Sequence, residues 1–275
     1  MALNKLAEGA AETQPSLRIY LWPHRLLLLG PAFETGLHRH HAAQFCFGVD
    51  GPLRLRTAAS APWSAHRAFF VPPDRSHEFV ATATSTAVIY VAAESTELAT
   101  LQATIGWRED ITPFPCNPRV LAQVRHLTAV GGSAHEAQTL CLALLGLQES
   151  QGDQAAFDPR ITRCLSTIRT HLDRPLRLRE LAKTLGVSQS WLAHRFSEAI
   201  GVPIRRYILW QRLWRAMEAA LRGGTLTQAA HRAGFSDSAH LSRTFRQTFG
   251  VTPSFLFEHR ARLAVCFGDG EPSPA

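Results

Sequence analysis

Two stretches of this chain repeat one another at an offset of 48 to 50 residues: "ELAKTLGVSQSWLAHRFSEAIGVP" (180–203) and "QAAHRAGFSDSAHLSRTFRQTFGVTP" (228–253). Ala182-x-x-x-Gly186 matches Ala230-x-x-x-Gly234, and Ser188 matches Ser236. "LAHRF" (192–196) matches "LSRTF" (241–245), and Gly201-Val202 matches Gly250-Val251, each soon followed by a proline. A spaced pattern written twice implies one supersecondary unit folded twice. In each copy a short helix ends at a glycine, which can take the left-handed conformation of a sharp turn. Ser188 or Ser236, two residues on, is placed to cap the next helix. The small Ala182 or Ala230 lets the paired helices approach closely. This is the arithmetic of a helix-turn-helix.

The 100° step of a helix sorts the residues of each second helix. Trp191, Leu192, Phe196 and Ala199 fall on one apolar side, and Leu241 and Phe245 do so in the second copy. The opposite sectors carry Gln189, Ser190, Ala193 and His194, then Ser238, Ala239, Ser242 and Arg243. These eight are the candidate base readers. Arginine pairs bidentately with guanine and glutamine with adenine, whereas alanine offers only apolar contact. Between the copies, 203–223 reads as one long helix, with proline at its first turn and Gly223-Gly224 at its end. At about 1.5 Å per residue it spans close to one turn of duplex, which suits two recognition helices in successive major grooves. Arg205, Arg206, Arg212, Arg215 and Arg246 are candidate phosphate partners.

The net charge of +7 supports the same division. Residues 159–262 carry a balance of +12 and the rest of the chain −5, so one region suits a polyanion and the other does not. The five cysteines (Cys46, Cys116, Cys141, Cys164, Cys266) are dispersed and contain no C-x-x-C pair. That argues for reduced thiols rather than a disulfide frame or a zinc cage.

On these residues, and on "GFSDSAHLSRTFRQTFGVTP" above all, region 160–262 resembles the DNA-binding domain of the AraC family. The resemblance implies two helix-turn-helix units joined by a helix, control of transcription at promoters, and base contacts by the eight residues named. Two positions depart from the family pattern. His194 stands where arginine is frequent, and Arg177 stands where a capping serine or threonine is frequent, so the first helix of the first unit is expected to fray.

Ahead of this region, 17–93 reads as β-rich: "LRIYLW", "RLLLLG", "QFCFGV", "LRLRT", "AFFVPP", "HEFVA" and "AVIYVAA" recur between turn signals. Trp22, Trp63, Phe45, Phe47, Phe69 and Phe70 are expected to fill its core. Two helices follow, about 118–130 and 133–149. In the second, Ala137, Leu140, Cys141, Leu144, Leu145 and Gln148 form a stripe at three-four spacing, which either packs on the β domain or makes a dimer seam. The predicted organisation is α+β: a disordered leader (1–16), a sensor domain (17–112), a helical dimerisation or packing segment (113–150), a linker (151–159), the all-α domain (160–262) and a flexible tail (263–275).

The stretch "HRHHAAQFCFGVDG" (38–51) sits at the start of one of the strands. His38-x-His40, Gln44 and Gly51 keep the spacing of the first cupin motif, with glutamine replacing the acid. In "PPDRSHEF", Pro72 and His77 fit the second motif and Asp74 replaces its glycine. Residues 17–93 therefore resemble a cupin-like β-barrel, which implies that His38, His40, Gln44 and His77 converge on its interior. Three imidazoles with open positions suit Zn²⁺, Fe²⁺ or Ni²⁺. A metal-free effector pocket and a barrel without ligand are the other readings, and the effector pocket is the one adopted. Loss of the carboxylate removes the usual base and argues against catalysis. His41, which alternates off the inward face, is expected to be exposed.

The reading that results is a non-enzymatic, cytoplasmic regulator of transcription with promoter DNA, RNA polymerase, a small effector and a second copy of itself as partners. No apolar stretch is long enough to span a membrane, and no export signal is visible at the N-terminus. The alternative is a metal-dependent cupin enzyme carrying a DNA-binding domain. A DNA-repair methyltransferase, which also carries such a helical module, lacks support because no cysteine cluster precedes the helices.

Overall fold

A computed structural model describes residues 17–31, 34–81, 85–105, 110–148, 157–254 and 263–268. The leader assigned to 1–16 and most of the linker assigned to 151–159 lie outside the described residues.

The first half is built on strands β1 (Leu17–Trp22), β2 (Arg25–Gly30), β3 (Ala43–Gly48), β4 (Leu53–Arg56), β5 (Ser64–His66), β6 (Ala68–Val71), β7 (Glu78–Val80) and β8 (Thr86–Val91). Helix α1 (Thr96–Ile105), the short β9 (Thr112–Pro113) and helices α2 (Pro118–Val130) and α3 (Ala134–Leu145) follow. The second half is helical: α4 (Pro159–Thr170), α5 (Leu178–Leu185), α6 (Gln189–Ile200), α7 (Ile204–Leu221), α8 (Leu226–Arg232) and α9 (Ser238–Phe249). A last strand, β10 (Leu263–Phe267), closes the described chain. The α+β class expected from sequence is the class observed. None of these helices is long and apolar enough to cross a membrane.

Seven strands form one sheet in the order β10-β1-β2-β8-β3-β6-β9, antiparallel except for the parallel β10–β1 pair. A second sheet runs β5-β4-β7. The period of two along each strand divides the large sheet into two buried faces. Leu17, Ile19, Leu21, Cys46, Phe69, Val88 and Tyr90 point inward, onto Leu53, Leu55 and Phe79 of the small sheet. Tyr20, Leu27, Phe45, Phe47, Phe70 and Ile89 point outward, under α1, α2 and α3. Burial on both faces is why these strands read as unbroken apolar runs rather than as alternations.

The stripe on α3 is spent on this sheet. Ala137, Leu140, Cys141, Leu144 and Leu145 are all buried in the same core as Phe45 and Phe47, so the stripe is a packing face and not a dimer seam. A capping box between Ser133 and Glu136 starts that helix.

Three further expectations are corrected. The linker's final residues belong to α4, where Asp158 is the N-cap and Pro159 the first residue. The region read as a flexible tail begins with β10, which extends the sheet through Leu17↔Leu263 to Leu21↔Phe267; residues 269–275 lie outside the described residues. Trp63 is only half-buried, with the guanidinium groups of Arg54 and Arg56 over its ring at 5.1 and 4.6 Å. A short strand pair leaves that ring no opposing layer to enter.

The two halves share a core. Trp210, Leu213, Met217, Phe245 and Phe249, from α7 and α9, pack with Ile19, Leu26, Val88 and Tyr90 on the inner face of the large sheet. Helices α4, α5 and α6 keep a separate core around Ile161, Leu165, Leu192, Phe196 and Tyr207.

Candidate nucleic-acid interface and buried histidine cluster

In the first helical repeat, α5 ends at Gly186 in the left-handed conformation (φ 67°, ψ 33°), and Ser188 caps α6 by accepting from the Trp191 amide at 3.1 Å. Arg177 precedes α5 and gives no side-chain cap, yet the helix begins at the next residue. Leu192 and Phe196 are buried, as their helical positions required. Trp191 is half-buried beneath the Arg160 guanidinium at 4.0 Å, and Ala199, placed on the apolar side by the helical wheel, is exposed. Gln189, Ser190 and His194 are exposed and Ala193 is half-buried.

In the second repeat, Gly234 makes the turn at φ 76°. The cap is Asp237 and not Ser236: its carboxylate accepts from the His240 amide at 2.6 Å, and the Ser236 hydroxyl donates to that carboxylate at 3.0 Å. The copies therefore differ by one residue in turn length. Ala239 and Arg243 are exposed, and Ser238 and Ser242 half-buried.

The arginines of the connecting helix divide. Arg205 and Arg246 are exposed and Arg215 is half-buried. Arg212 is committed elsewhere: its Nε and Nη2 donate to the carbonyls of Leu172 and Arg174 at 3.2 and 2.9 Å, joining the second unit to the loop after α4. Arg206 pairs with Asp74 of the β-rich half, Nη1 to Oδ1, at 3.0 Å. Sequence reasoning noted Asp74 only as a departure from a glycine position and missed this role. The structure marks the position: Asp74 is the one non-glycine residue among those described with positive φ, at 63°.

Other contacts cross the same seam. Gln211 of α7 donates to Glu94 at 3.0 Å, Arg169 lies 3.9 Å from Glu94, and the Gly36 amide donates to the carbonyl of Gly250, the C-cap of α9, at 3.0 Å. His41, expected on the surface, is buried there, 3.9 Å from Glu94 and edge-on to Tyr207 and Trp210. Its side chain lies at the seam, where Tyr207 and Trp210 of α7 cover it.

His38, His40 and His77 converge on the inner face as expected, with ligand-capable nitrogens all within 4.8 Å of one another. His38 and His77 are held opposite each other by a reciprocal pair of backbone hydrogen bonds, each 2.9 Å. Gln44, from β3, places its Oε1 at 2.7 Å from His40 Nε2 and 2.8 Å from His77 Nε2, and its amide nitrogen at 3.1 Å from Cys46 Sγ. All four residues of the set are buried. Burial pushes His38 down to about 3, the neighbouring His40 adding to the effect. His77 is driven well below the ordinary histidine value, and His40 is lowered, for the same principal reason. The rings are neutral at physiological pH. Neutral imidazoles can coordinate a cation, but the cluster holds no carboxylate to act as base.

The helix-turn-helix domain family matches residues 181–259. An uncharacterized HTH-type transcriptional regulator of Staphylococcus aureus (strain MSSA476) is 30% identical over 97 residues, 35% of this chain and 13% of that protein. The Msm operon regulatory protein of Streptococcus mutans is 31% identical over 110 residues, 39% of this chain and 38% of that one. The HTH-type transcriptional activator RhaS of Klebsiella pneumoniae (strain 342) is 27% identical over 157 residues, 52% and 56% of the two chains. The chain thus spans 13% of the length of the staphylococcal relative and little more than half of the third. Among solved structures, ToxT from Vibrio cholerae superposes with a TM-score of 0.54 at 12% identity, covering 86% of this chain and 97% of its own, a likeness of fold that takes in both halves.

Proposed function

We propose that the chain is a member of the AraC family of helix-turn-helix proteins and a sequence-specific DNA-binding regulator of transcription whose β-rich half receives a small effector. The observation that carries the first part is the pair of capped helices α6 and α9, each following a left-handed glycine and each turning a polar, exposed edge outward. Gln189, Ser190, Ala193 and His194 read one major groove, and Ser238, Ala239, Ser242 and Arg243 the next. Arg205, Arg215 and Arg246 hold phosphates, joined by Arg206 once Asp74 releases it. At about 1.5 Å per residue α7 is close to 27 Å long, near one turn of duplex.

The effector part rests on the seam. An apolar cavity there is lined by Ile19, Leu26, Leu28, Val88 and Tyr90 from the sheet and by Trp214, Met217, Phe245 and Phe249 from α7 and α9. An apolar small molecule in it touches the sensor and the second recognition helix at once, which is what transmission between them requires. One ToxT structure, from strain SCE256, has an unsaturated fatty acid bound. The protein acts in the cytoplasm, beside RNA polymerase, as a homodimer that uses a surface other than α3, and as a regulator rather than an enzyme.

The test is footprinting of the full chain on its own genome at moderate salt, with and without candidate apolar effectors. Discrete protected sites covering two successive major grooves are expected, with occupancy that changes when effector is added. No preference for any duplex over random competitor would overturn the reading.

A further inference from the structure

Arg160, in the first turn of α4, is braced along one edge and from below. Its Nε and Nη2 donate to the two carboxylate oxygens of Asp158 at 3.0 and 2.7 Å, and its guanidinium lies 4.0 Å from the centre of the Trp191 ring. Asp158 is itself held in place, because it caps α4 by accepting from the Arg160 amide at 2.9 Å. Trp191 is anchored too, half-buried against the core of the first unit. A guanidinium carries five N–H donors, and the pair with Asp158 uses two. The other three, both on Nη1 and one on Nη2, have no hydrogen-bond partner among the described residues, and half of the side chain is open to solvent.

The place of this group matters as much as its donors. Trp191 is in the first turn of α6, next to Ser190. On the 100° helical step it stands about 60° round from His194, the outermost base reader on that side. A helix with its side chains is about 10–12 Å across and the major groove about 12 Å wide, so a helix that reads bases with one edge brings its flanks against the sugar–phosphate walls. Arg160 is carried on such a flank. Arg195, farther round the same side, is turned to Glu198 at 2.6 Å.

We infer, on the reading of α6 as a helix of the major groove, that Arg160 is a further phosphate contact of the first unit, positioned by Trp191 and Asp158. The ring below and the carboxylate along one edge hold a side chain that would otherwise lose its rotamer freedom on binding. The open edge then offers parallel N–H groups from Nη1 and Nη2, the fork that matches two phosphate oxygens. Asp158 also turns a negative charge toward the same phosphates, so removing the arginine alone would mix a lost contact with an uncovered repulsion. The double variant Asp158→Asn/Arg160→Ala separates the two. It keeps the net charge of the wild type, and asparagine caps a helix as well as aspartate does.

The experiment uses the full chain with two labelled duplexes, the one it enriches most from a random pool and one of random sequence, and follows anisotropy from about 50 to 200 mM salt. The double variant should bind both more weakly, with a salt slope flatter by about 0.9, so that its deficit shrinks about threefold across that range. Trp191→Leu should flatten the slope in the wild-type background and change nothing in the double variant. Trp191→Phe keeps a ring under the guanidinium and should bind as wild type does. A double variant with the wild-type slope overturns the phosphate contact. A Trp191→Leu effect of equal size in both backgrounds overturns the positioning role. If the wild type enriches no duplex, the reading of α6 fails and this contact with it, whereas enrichment with an unchanged slope sinks the contact alone.

Discussion

Arg206 and Asp74 are 132 positions apart in sequence and 3.0 Å apart in space, and their ion pair holds a cation of the proposed DNA surface against the β-rich half. DNA engagement by Arg206 and closure of this contact exclude one another. The Asp74 backbone is left-handed, at φ 63°, a conformation that costs a non-glycine residue about 1 kcal/mol. A partly exposed ion pair returns about 0–1 kcal/mol. The terms nearly cancel in stability, so the contact's effect is on which partner Arg206 faces.

Asp74→Gly relaxes the backbone and frees the arginine together. Thermal stability should change little, while the dependence of DNA affinity on salt should steepen by up to about 0.9 in the log–log slope, the contribution of one phosphate contact. Anisotropy titrations between about 50 and 200 mM salt measure it. A slope identical to wild type would mean that Arg206 reaches no phosphate.

Arg243 and Arg205 are both exposed, but they stand on elements with different proposed tasks. Arg243→Ala should cost about 1–3 kcal/mol on the preferred sequence and relax the choice at one base pair. Arg205→Ala should weaken binding to all sequences alike and flatten the salt slope by about one unit. Selection of bound sequences from a random pool separates the two. Equal losses on every sequence for Arg243→Ala would remove it from the base readers.

What could be read in advance was what local chemistry decides. The runs "LRIYLW" and "AVIYVAA" are strands because both faces of their sheet are covered, and the repeat announced α5–α6 and α8–α9. Helix α1 went unread because "TELATLQATI" carries three threonines, Thr96, Thr100 and Thr104, and little apolar periodicity. Strand β10 owes its existence to pairing with β1, some 246 residues earlier in sequence, which no window along the chain contains. The histidine cluster was legible from spacing, yet the burial of His41 was not: alternation gives a side chain's face and not what a distant helix lays over it. Arg212 is the same case, a surface-type residue that another loop's free carbonyls claim.

Gly186 and Gly234 occupy equivalent turns but face different surroundings. A methyl group on Gly186 meets nothing within 4 Å, so Gly186→Ala should show only the cost of its left-handed backbone, about 1 kcal/mol. On Gly234 it would collide with the Leu172 carbonyl oxygen and stand 3.1 Å from Arg212 Nε, where the two units meet. Gly234→Ala should therefore cost at least about twice as much, the excess coming from backbone forced apart. Calorimetry of the two variants checks this, and equal shifts would mean that the units do not pack closely at that turn.

Glu94 makes the seam sensitive to pH. It is buried, faced by His41 from the β-rich half, by Arg169 of α4, and by Tyr207 and Gln211 of α7. Burial raises its pKa, against the opposing pull of Arg169, Tyr207 and Gln211. His41, pushed down to about 3 by burial, brings no compensating positive charge. A carboxyl group that holds its proton more tightly folded than unfolded lends stability below its ordinary range, and that stability is lost as pH rises through the raised value. Glu94→Gln keeps an oxygen for Gln211 and removes the titration. The variant should melt higher than wild type at about pH 8, and the advantage should shrink to nothing toward about pH 3, where Glu94 is protonated in both states. Melting curves across that range decide it: if wild type and variant run parallel, Glu94 does not titrate in the seam and its charge has found compensation there.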